Sequence, residues 1–274
     1  MKVENSRRGW RWGILLKVAL KQDTHADARM PLDLTLFLAA TFLAAFVAGV
    51  AGFAFGLVAA AVWLHVLTPL QTTTLIVAFG LIVQGYSVWK LRRALNFERL
   101  MPFLIGGAFG LPVGVAILRW VSPVHMKMAV GVLLILFSLY SLARPKFAKI
   151  TAGGRLADGG VGVLSGILGG TTGFGGILPT IWCTLRGWPK DEQRAVFQPT
   201  GVAIFLGTAL LLGGSGSVTS DTMRLFFIGL PVLLAGSWLG LKLYGKLDEG
   251  AFRKIVLALL LVSGLALVAP LGVR

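Results

Sequence analysis

The sequence predicts an all-α integral membrane protein built from two homologous, inverted halves. Each half is a glycine-broken (re-entrant or kinked) helical segment followed by three transmembrane helices. Three observations predict this. Of 274 residues, 56% are hydrophobic and 14% charged, with mean hydropathy +0.81, more apolar surface than a water-soluble domain buries. Two runs without a charged side chain, residues 34–64 and 159–185, exceed the about 20 residues of one straight crossing, and glycine interrupts both. The chain also repeats itself. Gly52-Phe53 returns as Gly173-Phe174 at an offset of 121, and Thr74, Phe79, Gly110, Gly114 and Val130 return as Thr200, Phe205, Gly236, Gly240 and Val256 at 126.

Residues 1–29 form a basic tail with seven Lys and Arg. Its apolar patch is too short and too charged to span. It reads either as an interfacial amphipathic helix or as an over-long start ahead of Met30. The first membrane repeat covers 30–144, a basic linker 145–155, and the second repeat 156–274.

Eight apolar stretches follow in order: 33–68, 72–89, 100–118, 128–143, 157–185, 195–213, 225–241 and 255–273. Lipid offers no hydrogen-bond partners, so these are helices, and the period-2 alternation of a barrel is absent. The first stretch contains Gly49-Val50-Ala51-Gly52-Phe53-Ala54-Phe55-Gly56 and the fifth contains Gly169-Gly170-Thr171-Thr172-Gly173-Phe174-Gly175-Gly176. Interruptions at matching places in two halves point to the binding site of a transporter. The glycines at 106, 107, 110 and 114 read as close helix packing instead. Trp63, Trp89, Trp120, Trp182, Trp188 and Trp238 lie near segment ends, where indoles favour the interface.

Positive charge decides between two topologies. With eight crossings, the 19 Lys and Arg after residue 29 divide 10 against 9. With the first and fifth stretches as hairpins that dip in and return, they divide 4 against 15, which the positive-inside rule prefers. This version has six full crossings, two hairpins and both termini outside. Eight crossings with kinked first and fifth helices is the alternative.

Net charge is +15, but the basic residues sit between apolar stretches, so topology accounts for them and nucleic acid is not an expected partner. Cys183 is the sole cysteine, which leaves no internal disulfide and no Cys/His metal set. No cofactor is expected. His25, His65 and His125 lie at edges or in the tail, and neither glycine cluster carries the Lys-Ser/Thr of a phosphate loop, so no catalytic constellation is visible.

No acidic or basic side chain lies centrally in a stretch. The candidate substrate-binding residues are therefore neutral: Gly52, Gly56, Thr72, Thr73, Thr74 and Gln84 in the first half, and Thr171, Thr172, Gly173, Gly175, Gly176, Gln198 and Thr200 in the second. A helix restarting after a glycine break presents free backbone N–H groups carrying about half a positive charge, which hold an anion without a charged side chain. Hydroxyls and amides add donors. The competing reading is structural: the threonines bond back to their own helices, and Gln198 satisfies carbonyls freed by Pro199.

Residues 49–58, the basic loop Lys90-Leu91-Arg92-Arg93 and the glycine segment 166–179 ending at Pro179 resemble the TauE/SafE family of bacterial permeases. The resemblance covers about residues 30–270. The second half keeps the family's pattern as Gly173-Phe174-Gly175-Gly176 with Pro179. The first half departs from it, with no proline after its glycine run until Pro69. The resemblance implies a multi-pass protein of the bacterial cytoplasmic (inner) membrane that exports sulfite, sulfonates or related small organic anions without ATP. The expected partners are a small anionic substrate and the lipid bilayer, with self-association left open. An anion channel and a non-transporting assembly subunit are the alternatives.

Overall fold

The structure is a computed structural model and describes residues 32–50, 54–91, 95–143, 150, 153–243 and 249–269. The tail 1–29 and most of the linker 145–155 lie outside the described residues. Among them the chain forms ten α-helices and no strand. These are α1 Leu32–Val50, α2 Phe55–Val66, α3 Pro69–Leu91, α4 Phe97–Trp120, α5 Pro123–Ala143, α6 Gly154–Thr172, α7 Ile177–Leu185, α8 Lys190–Gly214, α9 Ser220–Leu243 and α10 Glu249–Val268.

Local chemistry sets the helix starts. Pro69 and Pro123 each open a helix, where a missing N–H costs nothing. The Thr68 hydroxyl accepts the Gln71 N–H while the Gln71 side chain accepts the Thr68 N–H, both at 3.2 Å, a reciprocal cap for α3. The Asn96 side chain accepts the Arg99 N–H at 3.2 Å, and Glu98 in the first turn suits the positive end of α4.

Both expected interruptions are present, between α1 and α2 and between α6 and α7. At the second, Gly173 has φ 78° and its N–H closes on the Gly169 carbonyl at 2.8 Å, the left-handed stop that glycine adopts without strain. At the first, Ala54 holds φ 74°, a conformation that costs about 1–2 kcal/mol for a residue with a Cβ.

Among the described residues six helical segments are long and apolar enough to cross a membrane: Leu32–Val50, Phe97–Trp120, Pro123–Ala143, Glu192–Gly214, Ser220–Leu243 and Gly250–Val268. The chain is a multi-pass membrane protein. Five of these are among the six crossings expected from sequence. The sixth among the described residues is α1; α3 runs 23 residues, Pro69–Leu91, with Pro69–Gly85 as its described apolar part.

Glycine contacts set the helix directions. Gly106 lies against Gly159 and Val163, Gly110 against Val163 and Ile167, and Gly114 against Gly166 and Ile167, so α4 and α6 run the same way. Gly236 lies against Phe42 and Ala45, and Gly240 against Phe46 and Gly49, so α9 and α1 also run the same way. Between α3 and α8 the order reverses: Gly80 meets Phe205, and Gln84 meets Gly201. It also reverses between α5 and α10, where Gly131 meets Leu267 and Val268 while Gly264 meets Leu134 and Ile135. Helices without a hydrophobic drive to associate in lipid rely on this close packing.

Each broken segment returns toward its start. Arg186, just beyond α7, pairs with Asp158 near the start of α6 at 3.5 Å, and the Ile150 N–H bonds the Leu185 carbonyl at 3.0 Å. In the first half, Trp63 of α2 donates its indole N–H to the Phe37 carbonyl of α1 at 3.3 Å. Arg99 at the start of α4 pairs with Glu192 at the start of α8, so these ends share one face of the molecule.

Two expectations change. Trp89, Trp120 and Trp238 are well exposed, as interfacial indoles should be, but Trp63 is fully buried, packed on Phe37, Phe55 and Phe79. Asp158, the residue just before the charge-free run 159–185, lies inside α6 and is buried, neutralised by Arg186.

Candidate functional site

The two interruptions meet at one cavity of about 70 Å³. Ala54, Phe55, Gly56 and Leu57 of the α2 start form one wall, and Gly173, Phe174, Gly176 and Ile177 leading into α7 form another. Gln84 of α3, Thr180 of α7, Phe137 of α5, and Phe197 and Phe205 of α8 complete it. The volume admits a few waters or one small ion.

Backbone chemistry gives the cavity its polarity. The first ladder bond of α2 runs from the Val58 N–H to the Ala54 carbonyl at 3.1 Å, so the N–H groups of Phe55, Gly56 and Leu57 precede the ladder. In α7, Ile177 bonds the Phe174 carbonyl and Thr180 bonds the Gly176 carbonyl, both at 3.2 Å, while Pro179 brings no N–H. Two positive helix ends thus border one small space in which no charged side chain is present.

Gln84 supplies the side-chain polarity. Its amide lines the cavity. A methyl group placed on Gly201 would lie 3.3 Å from its Oε1 and 3.8 Å from the Gly176 nitrogen. Gln84, Gly176 and Gly201 therefore converge at one edge of the cavity. The Thr180 hydroxyl donates to the Gly176 carbonyl at 2.7 Å, keeping that acceptor occupied.

Of the residues expected from sequence, Gly56, Gln84, Gly173 and Gly176 line the cavity. Gly52 lies outside the described residues. Most of the others hold the interruption together or bond within their own helices. Thr73 donates to the Thr171 carbonyl at 3.0 Å, tying α3 to the last turn of α6. Thr171 donates to the carbonyls of Ile167 (2.8 Å) and Gly114 (3.1 Å). Thr172 donates to the Leu168 carbonyl at 2.7 Å and accepts the Phe174 N–H at 3.3 Å. Ser165 donates to the Gly175 carbonyl. Thr74 and Thr200 make equivalent bonds four residues back, to Leu70 at 2.7 Å and Val196 at 2.8 Å. Thr72 and Gln198 are repeat mates, one on α3 and one on α8. Both are buried, and the Thr72 Oγ1 and Gln198 Oε1 have no partner.

Sequence reasoning missed Thr180 and the five phenylalanines. Two signals were available. Phe55 and Phe174 lie inside the glycine clusters, and Phe205 is the repeat mate of Phe79.

Among the described residues no group of His, Cys, Asp or Glu is placed to hold a metal. No curated protein and no solved structure matches the chain. The family model described as Sulfite exporter TauE/SafE matches residues 37–267. That match takes in both interruptions, the cavity between them and nearly all ten helices, and so this chain belongs to the TauE/SafE family of membrane transporters.

Proposed function

We propose that the protein is a secondary transporter of small oxyanions, with sulfite, sulfonates or a related organic anion as substrate, in the bacterial cytoplasmic membrane. One observation carries the reading: the starts of α2 and α7 border the same 70 Å³ cavity, with the amide of Gln84 beside them. Helix starts supply N–H donors for an oxyanion without fixing a countercharge that would hold it too tightly to release. The phenyl walls exclude water and suit a short apolar tail on the anion. The unpartnered Thr72 Oγ1 and Gln198 Oε1 extend polar character along α3 and α8.

We also infer two inverted repeats, 30–144 and 156–274. Repeat mates α3 and α8 run oppositely, as do α5 and α10, which a repeat inverted in the membrane requires. The pairing of α4 with α6 is matched by that of α9 with α1, both in the same sense. The two broken segments are hairpins, since the ends of 154–186 meet at the Asp158–Arg186 pair. The Arg99–Glu192 pair joins ends that eight crossings would place on opposite sides.

The test is flux in proteoliposomes holding sulfite or short sulfonates, with counterflow to distinguish a carrier from a channel. Saturable exchange supports the proposal. A folded protein that moves no small anion overturns it.

A further inference from the structure

A second cavity, about 570 Å³, opens on the outer surface between the starts of α4 and α6. One end is charged, with Glu98 paired to Arg155 across the two helices and both side chains more than 70% exposed. The walls are apolar: Met101, Ile105, Leu156 and Val163. Leu156 is 91% exposed and Ile105 52% exposed, so nothing among the described residues covers these surfaces. Gly106 and Gly159 bring the helix backbones together at the floor, and the larger side chains stand on either side.

The dimensions follow from helix geometry. From Glu98 to Ile105 is seven residues, about 10 Å along α4, and from Arg155 to Val163 is eight, about 12 Å along α6. The groove therefore starts at the charged edge of the membrane and descends into hydrocarbon. Pro102 on its wall has no N–H, so the Glu98 carbonyl loses its ladder partner and adds an acceptor beside the Glu98 carboxylate. Arg99 contributes no charge here, since it is engaged by Glu192 and stacked over Trp188 at 5.0 Å.

We propose that this groove binds a zwitterionic phospholipid with a primary amine, phosphatidylethanolamine in chemical class. Its phosphate meets Arg155, its ammonium meets the Glu98 carboxylate and carbonyl, and one acyl chain lies along Ile105 and Val163. Charge complementarity selects this occupant. An anionic headgroup without an amine faces the Glu98 carboxylate, and a quaternary ammonium donates no N–H to it. The proposal stands apart from anion transport and its test does not use transport.

The experiment is native mass spectrometry of the full-length protein in detergent with phosphatidylethanolamine, phosphatidylglycerol or phosphatidylcholine of identical chains. Phosphatidylethanolamine should be retained about three- to fivefold over the other two, the scale of an exposed charged contact. Glu98→Gln should abolish that preference, and Arg155→Gln should lower retention of all three lipids. Ile105→Trp, which fills the groove, should displace lipid with either charge intact. Equal retention of the three lipids, or a preference that survives Glu98→Gln, overturns the proposal. So does a dimer that Ile105→Trp converts to monomer, because the groove is then an interface between copies.

Discussion

Trp182 donates its indole N–H to Asp158 Oδ1 at 2.6 Å, joining the returning arm of the second broken segment to its outgoing arm. At the 121-residue offset, the mate of Asp158 is Phe37, whose carbonyl accepts the indole N–H of Trp63. Each segment is closed by a tryptophan of its returning arm, Trp63 lying two residues beyond the mate of Trp182, one on a backbone carbonyl and one on a carboxylate. Among the described residues only the second includes a salt bridge, with the Arg186 guanidinium 3.5 Å from Asp158 and stacked near Trp182 and Trp188 at 5.8 Å each.

Asp158→Asn should lower the melting temperature in detergent sharply. The pair is about nine-tenths buried, and removing one partner of a buried pair costs about 3–5 kcal/mol. Asp158→Asn combined with Arg186→Gln should cost less than the sum of the two single changes, because neither charge is then left alone. Additive losses would show that the pair is not coupled.

The glycine seam between α4 and α6 predicts a graded response. A Cβ at Gly110 falls 2.0 Å from the Val163 carbonyl oxygen, so even Gly110→Ala must separate the backbones, and Gly110→Val should cost at least the about 1–3 kcal/mol of an overpacked core. Gly213→Ala, with open space around its Cβ, should be neutral or slightly stabilising through helix propensity. Thermal unfolding of the two variants side by side checks the contrast.

The cavity predicts a loss of affinity at constant fold. Gln84→Leu keeps the volume but removes the amide. Loss of a hydrogen bond to a charged ligand costs about 1.5–3 kcal/mol, which raises the apparent KM for the anion about 10- to 100-fold. Gly201→Ala should act in the same direction by moving Gln84. Transport kinetics with unchanged melting temperature is the expected result, and an unchanged KM in both variants would detach Gln84 from the substrate.

Topology is testable with single cysteines, since native Cys183 is fully buried. Asn96→Cys and Arg194→Cys should react with an impermeant thiol reagent from the same face, and Ser122→Cys from the opposite face. An eight-crossing chain places Asn96 and Arg194 on opposite faces, so labelling from two sides would rule out the hairpins.

Much of this was legible in one dimension. Apolar length fixes helices in lipid, because the bilayer offers the backbone no other partner. Glycine clusters fix where helices stop, and Gly173 stops α6 at the predicted place through a left-handed φ available cheaply only to glycine. At the 126-residue offset Phe79 falls on Phe205, and the helices that carry them, α3 and α8, pack against each other.

The sequence could not divide its polar residues between scaffold and cavity. Thr73 and Gln84 look alike as neutral donors on one apolar helix, yet Thr73 is consumed by the Thr171 carbonyl of α6 and Gln84 is left facing the cavity. Nor did it reveal that Asp158 and Arg186 neutralise each other across 28 residues. Local composition determines whether a helix forms and where it breaks. Which side chain meets which backbone group depends on close approach between helices distant in sequence, and only the packed tertiary structure decides that.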